Sequence, residues 1–152
     1  MLKLYVLYFL LGIYVFYYQL LVWAFSSGDI VTYLVHYSSI LLFVFASGLS
    51  LFRIKLASLI GLACLIGLAP FAIYWIFNPT YTFVEDQGLL FHLVLGIAII
   101  LYVIAIFYSI KVLINYKKPI SRTNLKKPIK ILLAVVPIVL LLLYTGLEIF
   151  DR

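Results

Sequence analysis

Five long apolar runs, at 4–25, 30–52, 56–77, 89–114 and 131–150, constrain this chain more than any other feature. Each reaches the roughly 20 helical residues that cross a hydrocarbon layer about 30 Å thick. Hydrophobic residues make up 67% of the sequence and charged residues 11%, too little polar surface to coat a water-soluble globule of 152 residues. Membrane-spanning strands alternate in polarity over about 10 residues, whereas these runs are apolar on every face. The expectation is an all-α polytopic integral membrane protein, a single domain of five transmembrane helices in an up-and-down bundle.

With the spans marked, the charges sort. All of the 11 Lys and Arg except Arg152 fall at ends that alternation places on one side: Lys3, Arg53, Lys55, Lys111, Lys117, Lys118, Arg122, Lys126, Lys127 and Lys130. The acids Asp29, Glu85, Asp86, Glu148 and Asp151 fall at the other. The positive-inside rule makes the basic side cytoplasmic, which predicts the N-terminus in and the C-terminus out, in a bacterial inner membrane. In a soluble chain a net charge of +6 would raise nucleic acid as a partner; here orientation accounts for it, and none is expected. Ala24-Phe25-Ser26 has the form of a signal cleavage site, but a run of 4–25 exceeds the about 7–15 residues of a signal core and is read as a retained span.

The short connections Ser26-Ser27-Gly28-Asp29 and Arg53-Ile54-Lys55 make helices one to three antiparallel neighbours. Pro70 and Pro137 each remove a backbone hydrogen bond inside a span. Small residues four apart let helix backbones approach: Ala46 with Ser50, Ala57 with Gly61, Ala63 with Gly67, and Ala105 with Ser109. Packing within the bundle is the expected use. Tyr5, Tyr8, Trp23, Trp75, Tyr108 and Tyr116 stand at depths suited to an interfacial belt. Tyr14, Tyr17, Tyr18 and Gln19 are deeper, and their polar atoms need partners within the bundle or on an adjoining subunit. In the cytoplasmic loop, Lys117-Lys118-Pro119-Ile120 and Lys126-Lys127-Pro128-Ile129 echo one another, and the prolines favour extended chain. Lys117, Lys118, Arg122, Lys126, Lys127 and Lys130 suit contact with anionic lipid, at about 1 kcal/mol per charge.

Two histidines carry the only constellation with chemistry. Their helices run the same way, and at about 1.5 Å per residue His36 and His92 lie roughly 9 Å and 5 Å below the outer helix ends. Facing imidazoles at similar depth could ligate a b-type haem, with Gly96 one turn below His92 leaving room for a porphyrin face. A weaker metal alternative adds Asp29, Glu85 or Asp86. The plain alternative is interhelical hydrogen bonding. Ser38 and Ser39 follow His36 too closely to make a nucleophile–base pair, the lone Cys64 is read as a small packing residue, and no charge falls near mid-span to serve ion transport. By exclusion the chain is expected to be an accessory subunit or scaffold, bound laterally to larger membrane subunits and without catalysis of its own. The alternatives are a haem- or quinone-linked redox subunit using His36 and His92, and a small bacterial immunity protein.

Overall fold

The computed structural model describes the backbone of residues 2–25, 30–77, 88–115 and 125–150, and the side chains of 2–17, 34–73, 93–115 and 125–143. Within these residues there are five α-helices and no strand: α1 (Leu2–Phe25), α2 (Ile30–Ser50), α3 (Ile54–Phe77), α4 (Gly88–Ile114) and α5 (Lys127–Phe150). Two stretches, Ile54–Ile73 and Leu93–Ile114, are long and apolar enough to cross a membrane. The helices match the apolar runs to within a few residues. The largest difference is at α5, which begins four residues earlier than its run. Lys127-Pro128-Ile129 is therefore helical rather than extended, because proline in a first turn surrenders an N–H that has no helical partner anyway. Both α3 and α5 continue through Pro70 and Pro137.

Neighbours in the ring are α1 and α2, α2 and α3, α3 and α4, and α4 and α1, so α2 and α4 stand diagonally; α5 lies outside, against α2. Pairings fix the directions. Tyr8 near the start of α1 meets Ser109 near the end of α4, and Gly48 near the end of α2 meets Ala134 near the start of α5. Between α2 and α3 the chain reverses in residues 51–53, held by Leu51 N–H to Gly48 O (3.2 Å) and Arg53 N–H to Leu49 O (2.7 Å). Consequently every Lys and Arg among the described residues lies at one end of the molecule: Lys3, Arg53, Lys55, Lys111, Lys126, Lys127 and Lys130.

Tyr8 ties the ring together. Fully buried in α1, it stacks with Phe43 of α2 at 6.2 Å, and its ring fills the space a side chain at Gly61 of α3 would need. Its hydroxyl lies 2.6 Å from Ser109 Oγ of α4. Since Ser109 gives its single proton to Ala105 O at 2.6 Å, Tyr8 is the donor. Tyr5 is buried too and donates to Leu133 O of α5 at 3.1 Å. That acceptor is the carbonyl four residues before Pro137, the one the proline cannot serve; a neighbouring helix supplies the missing donor. The hydroxyls of both tyrosines are thus used between helices.

Among the described residues the exterior is apolar as well as the core, unlike that of a water-soluble bundle. Ser39, Ser47, Ser50, Ser58 and Ser109 are buried, each hydroxyl donating to a carbonyl three or four residues back on its own helix. Large apolar side chains cover the exterior, among them Ile66 at 64% exposure, Phe107 at 62% and Leu132 at 62%. Of the four small-residue pairs, three are buried between helices; Ala63 and Gly67 instead face outward from α3, and nothing lies within 4 Å of where a Gly67 side chain would stand.

Candidate functional site

Away from the basic end, the four ring helices enclose a cavity of about 420 Å³. Its existence follows from residue size. Ala69 and Ala72 of α3 and Ala98 of α4 face it, and alanines cannot fill the centre of a four-helix ring at that level. Larger groups form the remaining wall: Tyr14 and Tyr17 from α1, His36 and Phe43 from α2, Phe71 from α3, and Tyr102 from α4. Tyr102 is oriented by its hydroxyl, which donates to Leu65 O of α3 at 2.5 Å. His36 is buried, with its ring edge-on to Phe71 at a centroid separation of 5.1 Å.

The cavity is not sealed. Tyr17, Ile73 and Val103 line it yet are 46%, 54% and 58% exposed, so it opens to the exterior beside α4, between the flanking helices α1 and α3. Toward the basic end α1 and α4 close on each other through Tyr8 and Ser109, and Lys3 Nζ lies 5.8 Å from the Tyr108 ring centre. Chemically the space accepts an apolar body, and polar atoms contribute almost nothing to its surface.

Among the expected site residues, His36 faces this cavity. His92 lies in the second turn of α4, with its side chain outside the described residues; Leu95, one turn on, lines the cavity. Gly96 is half-buried with open space beside it, but it is not part of the cavity wall. Tyr14 and Tyr17, whose polar atoms are expected to find partners within the bundle or on an adjoining subunit, line the cavity, Tyr17 with 46% of its surface exposed. The side chains of Tyr18 and Gln19 are outside the described residues, as are Lys117, Lys118, Arg122, Asp29, Glu85 and Asp86. Lys126 and Lys127 are exposed and Lys130 is half-buried at the head of α5. Ser38 and Ser39 both donate to Val35 O, at 3.0 and 2.7 Å, which leaves neither poised as a nucleophile toward His36. Cys64 is buried, its thiol 3.7 Å from Ser39 O, in the packing role expected.

Sequence reasoning did not find Phe71, Tyr102 or the alanines that open the cavity. No periodic signal marks them, because the runs containing them are apolar all round. Comparison with protein-family models, with curated proteins and with solved structures finds no match to this chain.

Proposed function

We propose that the chain is a five-span cytoplasmic-membrane protein that serves as an accessory subunit, associating laterally with a larger membrane partner. The bilayer placement is supported by the apolar exterior: Leu, Ile, Val and Phe cover it, while the buried serine hydroxyls are satisfied on their own helices. An apolar exterior this extensive is costly in water. The gathering of basic residues at one end supports a cytoplasmic placement of that end.

Lateral association rests on one observation, the outward Ala63 and Gly67. The same small-residue chemistry closes the bundle at Gly61 against Tyr8 and at Gly48 against Ala134. At Gly67 it leaves a bare strip of α3 against which a foreign helix can pack backbone to backbone. Gly67→Leu, with or without Ala63→Leu, should leave membrane insertion intact, since Leu favours the bilayer. It should remove the larger assembly that wild-type protein shows when extracted from its native membrane in mild detergent. A wild-type chain that migrates alone, or a variant that keeps its partner, would overturn the accessory reading.

A second reading, a haem-bearing subunit, draws on His36 at the cavity wall and His92 on the diagonal helix. It requires a Soret band in protein purified from its native membrane, abolished or strongly shifted by His36→Ala or His92→Ala.

A further inference from the structure

The cavity is a slot with a closed foot. On α4 its wall runs from Val94 to Ile106, which at about 1.5 Å per residue is a length of roughly 18 Å along the helix. Leu11 and Ile106 line its lower end, each three residues from the Tyr8–Ser109 contact that closes α1 on α4. Beyond that contact the wall opens beside α4 at Tyr17, Ile73 and Val103. The slot is therefore parallel to the helices, blocked toward the basic end and open sideways to the apolar exterior.

Its wall selects by shape alone. Polar atoms contribute almost nothing to the surface, the Tyr102 hydroxyl is committed to Leu65 O, and the His36 ring packs against Phe71. Water in a cavity needs several polar partners, which this wall does not supply. An empty slot would leave its lining without dispersion contacts. With no polar group to choose among apolar molecules, concentration and fit decide, and in a bilayer the apolar group present as the solvent is the acyl chain. Fit agrees with concentration. A cavity of roughly 150 Å³ takes the six carbons of benzene, so about 420 Å³ takes roughly 17 carbons by the same ratio, the size of one acyl chain. A single ring would leave most of the length empty.

We infer that the slot holds one acyl chain of a phospholipid from the leaflet at the non-basic end, its methyl end at the foot near Leu11 and Ile106 and its upper part leaving beside α4. The assignment rests on the bilayer placement proposed above and is independent of the accessory reading. A haem cannot share the space.

The test places the full chain in phosphatidylcholine vesicles that include a phosphatidylcholine with a diazirine in the middle of one acyl chain. Flotation of the vesicles with the protein, and photolabel at the exterior residues Ile66 and Phe107, check the bilayer placement separately. The slot predicts label also at Leu11, Phe43 and Leu68, which line it and are buried from bulk lipid. A diazirine carried on the headgroup should mark none of these three. Ala98→Phe, which puts a ring into the slot, should lower their label about tenfold or more while Ile66 and Phe107 keep theirs. Should Ala98→Phe fail to fold, moving the diazirine to the chain end in the unaltered protein should shift the label toward Leu11 and Ile106 at the foot. Label at Ile66 and Phe107 with none at the buried three, label there that Ala98→Phe leaves unchanged or that does not follow the diazirine along the chain, displacement by a quinone at low mole fraction, or a Soret band in protein from its native membrane would each overturn the assignment. Failure to float, with Ile66 and Phe107 unlabelled, would remove the bilayer placement itself and the acyl chain with it.

Discussion

Tyr8 contacts all three other helices of the ring, and the physics of each contact is separable. The hydroxyl gives its proton to Ser109, the ring lies on Gly61, and Phe43 stacks alongside. Interhelical hydrogen bonds within a membrane contribute about 0.6 kcal/mol on average and up to about 1.7 kcal/mol. A double-mutant cycle of Tyr8→Phe and Ser109→Ala, followed by unfolding in mixed detergent micelles, should return a coupling in that range. Gly61→Ala should cost more, about 1–3 kcal/mol, because the added methyl meets a ring already boxed in on its other faces. If Gly61→Ala were neutral, the close approach of α1 and α3 would be wrong. Six residues along α3, at Gly67, the same substitution would meet nothing within the bundle, and nothing in the sequence separates Gly61 from Gly67. One lies under Tyr8; the other has open space beside it. That difference was not legible, since both belong to the same small-residue pattern and the run that forms α3 is apolar on every face.

Among the elements, α5 is the one whose position could not have been read in advance. Its existence and its end were plain from its apolar run, though not its start, and it rests on α2 and not on α4, the helix that precedes it. Two local facts explain that choice. Ala134 and Gly48 allow the helix backbones to meet, and Pro137 leaves the Leu133 carbonyl requiring a donor that Tyr5 provides. The prediction follows from the accounting. Tyr5→Phe strands a carbonyl in an apolar interior and should destabilise the α5 contact by about 1–2 kcal/mol. Pro137→Ala restores the N–H that serves the same carbonyl within α5. In the Pro137→Ala background the cost of Tyr5→Phe should therefore fall close to zero. Stability measured for the four chains settles this, and equal costs of Tyr5→Phe in both backgrounds would refute the role given to Tyr5.

For the molecule as a whole, the separation of charge is the feature the sequence displayed most openly. The apolar runs need no periodicity to be seen, and the basic residues flank them; once the helices alternate in direction, Lys3, Arg53, Lys111 and Lys127 must gather at one end. A reporter active only in the cytoplasm should give signal when fused at the N-terminus or inserted near residue 120, and none at the C-terminus. Signal at the C-terminus would contradict five spans. The cavity was far less legible. A void is specified by what fails to fill it, here Ala69, Ala72 and Ala98, and those residues are indistinguishable by type from the buried Ala46, Ala57 and Ala105 that close helices together. Of the expected site, His36 was identifiable because an imidazole inside an apolar run stands out; its neighbours were not.

The docking of α5 on the far side of the ring also bears on how the chain is made. Synthesis proceeds from the N-terminus, and earlier segments generally fold first. The surface that receives α5 is built from α1 and α2, the first two helices to leave the ribosome, and Tyr5 and Gly48 must wait there until Leu133 and Ala134 arrive. During that interval the outer flank of α2 near Gly48 is open to any other helix emerging nearby. Whatever keeps it free, whether speed of translation or a chaperone of the insertion machinery, becomes a condition of correct assembly.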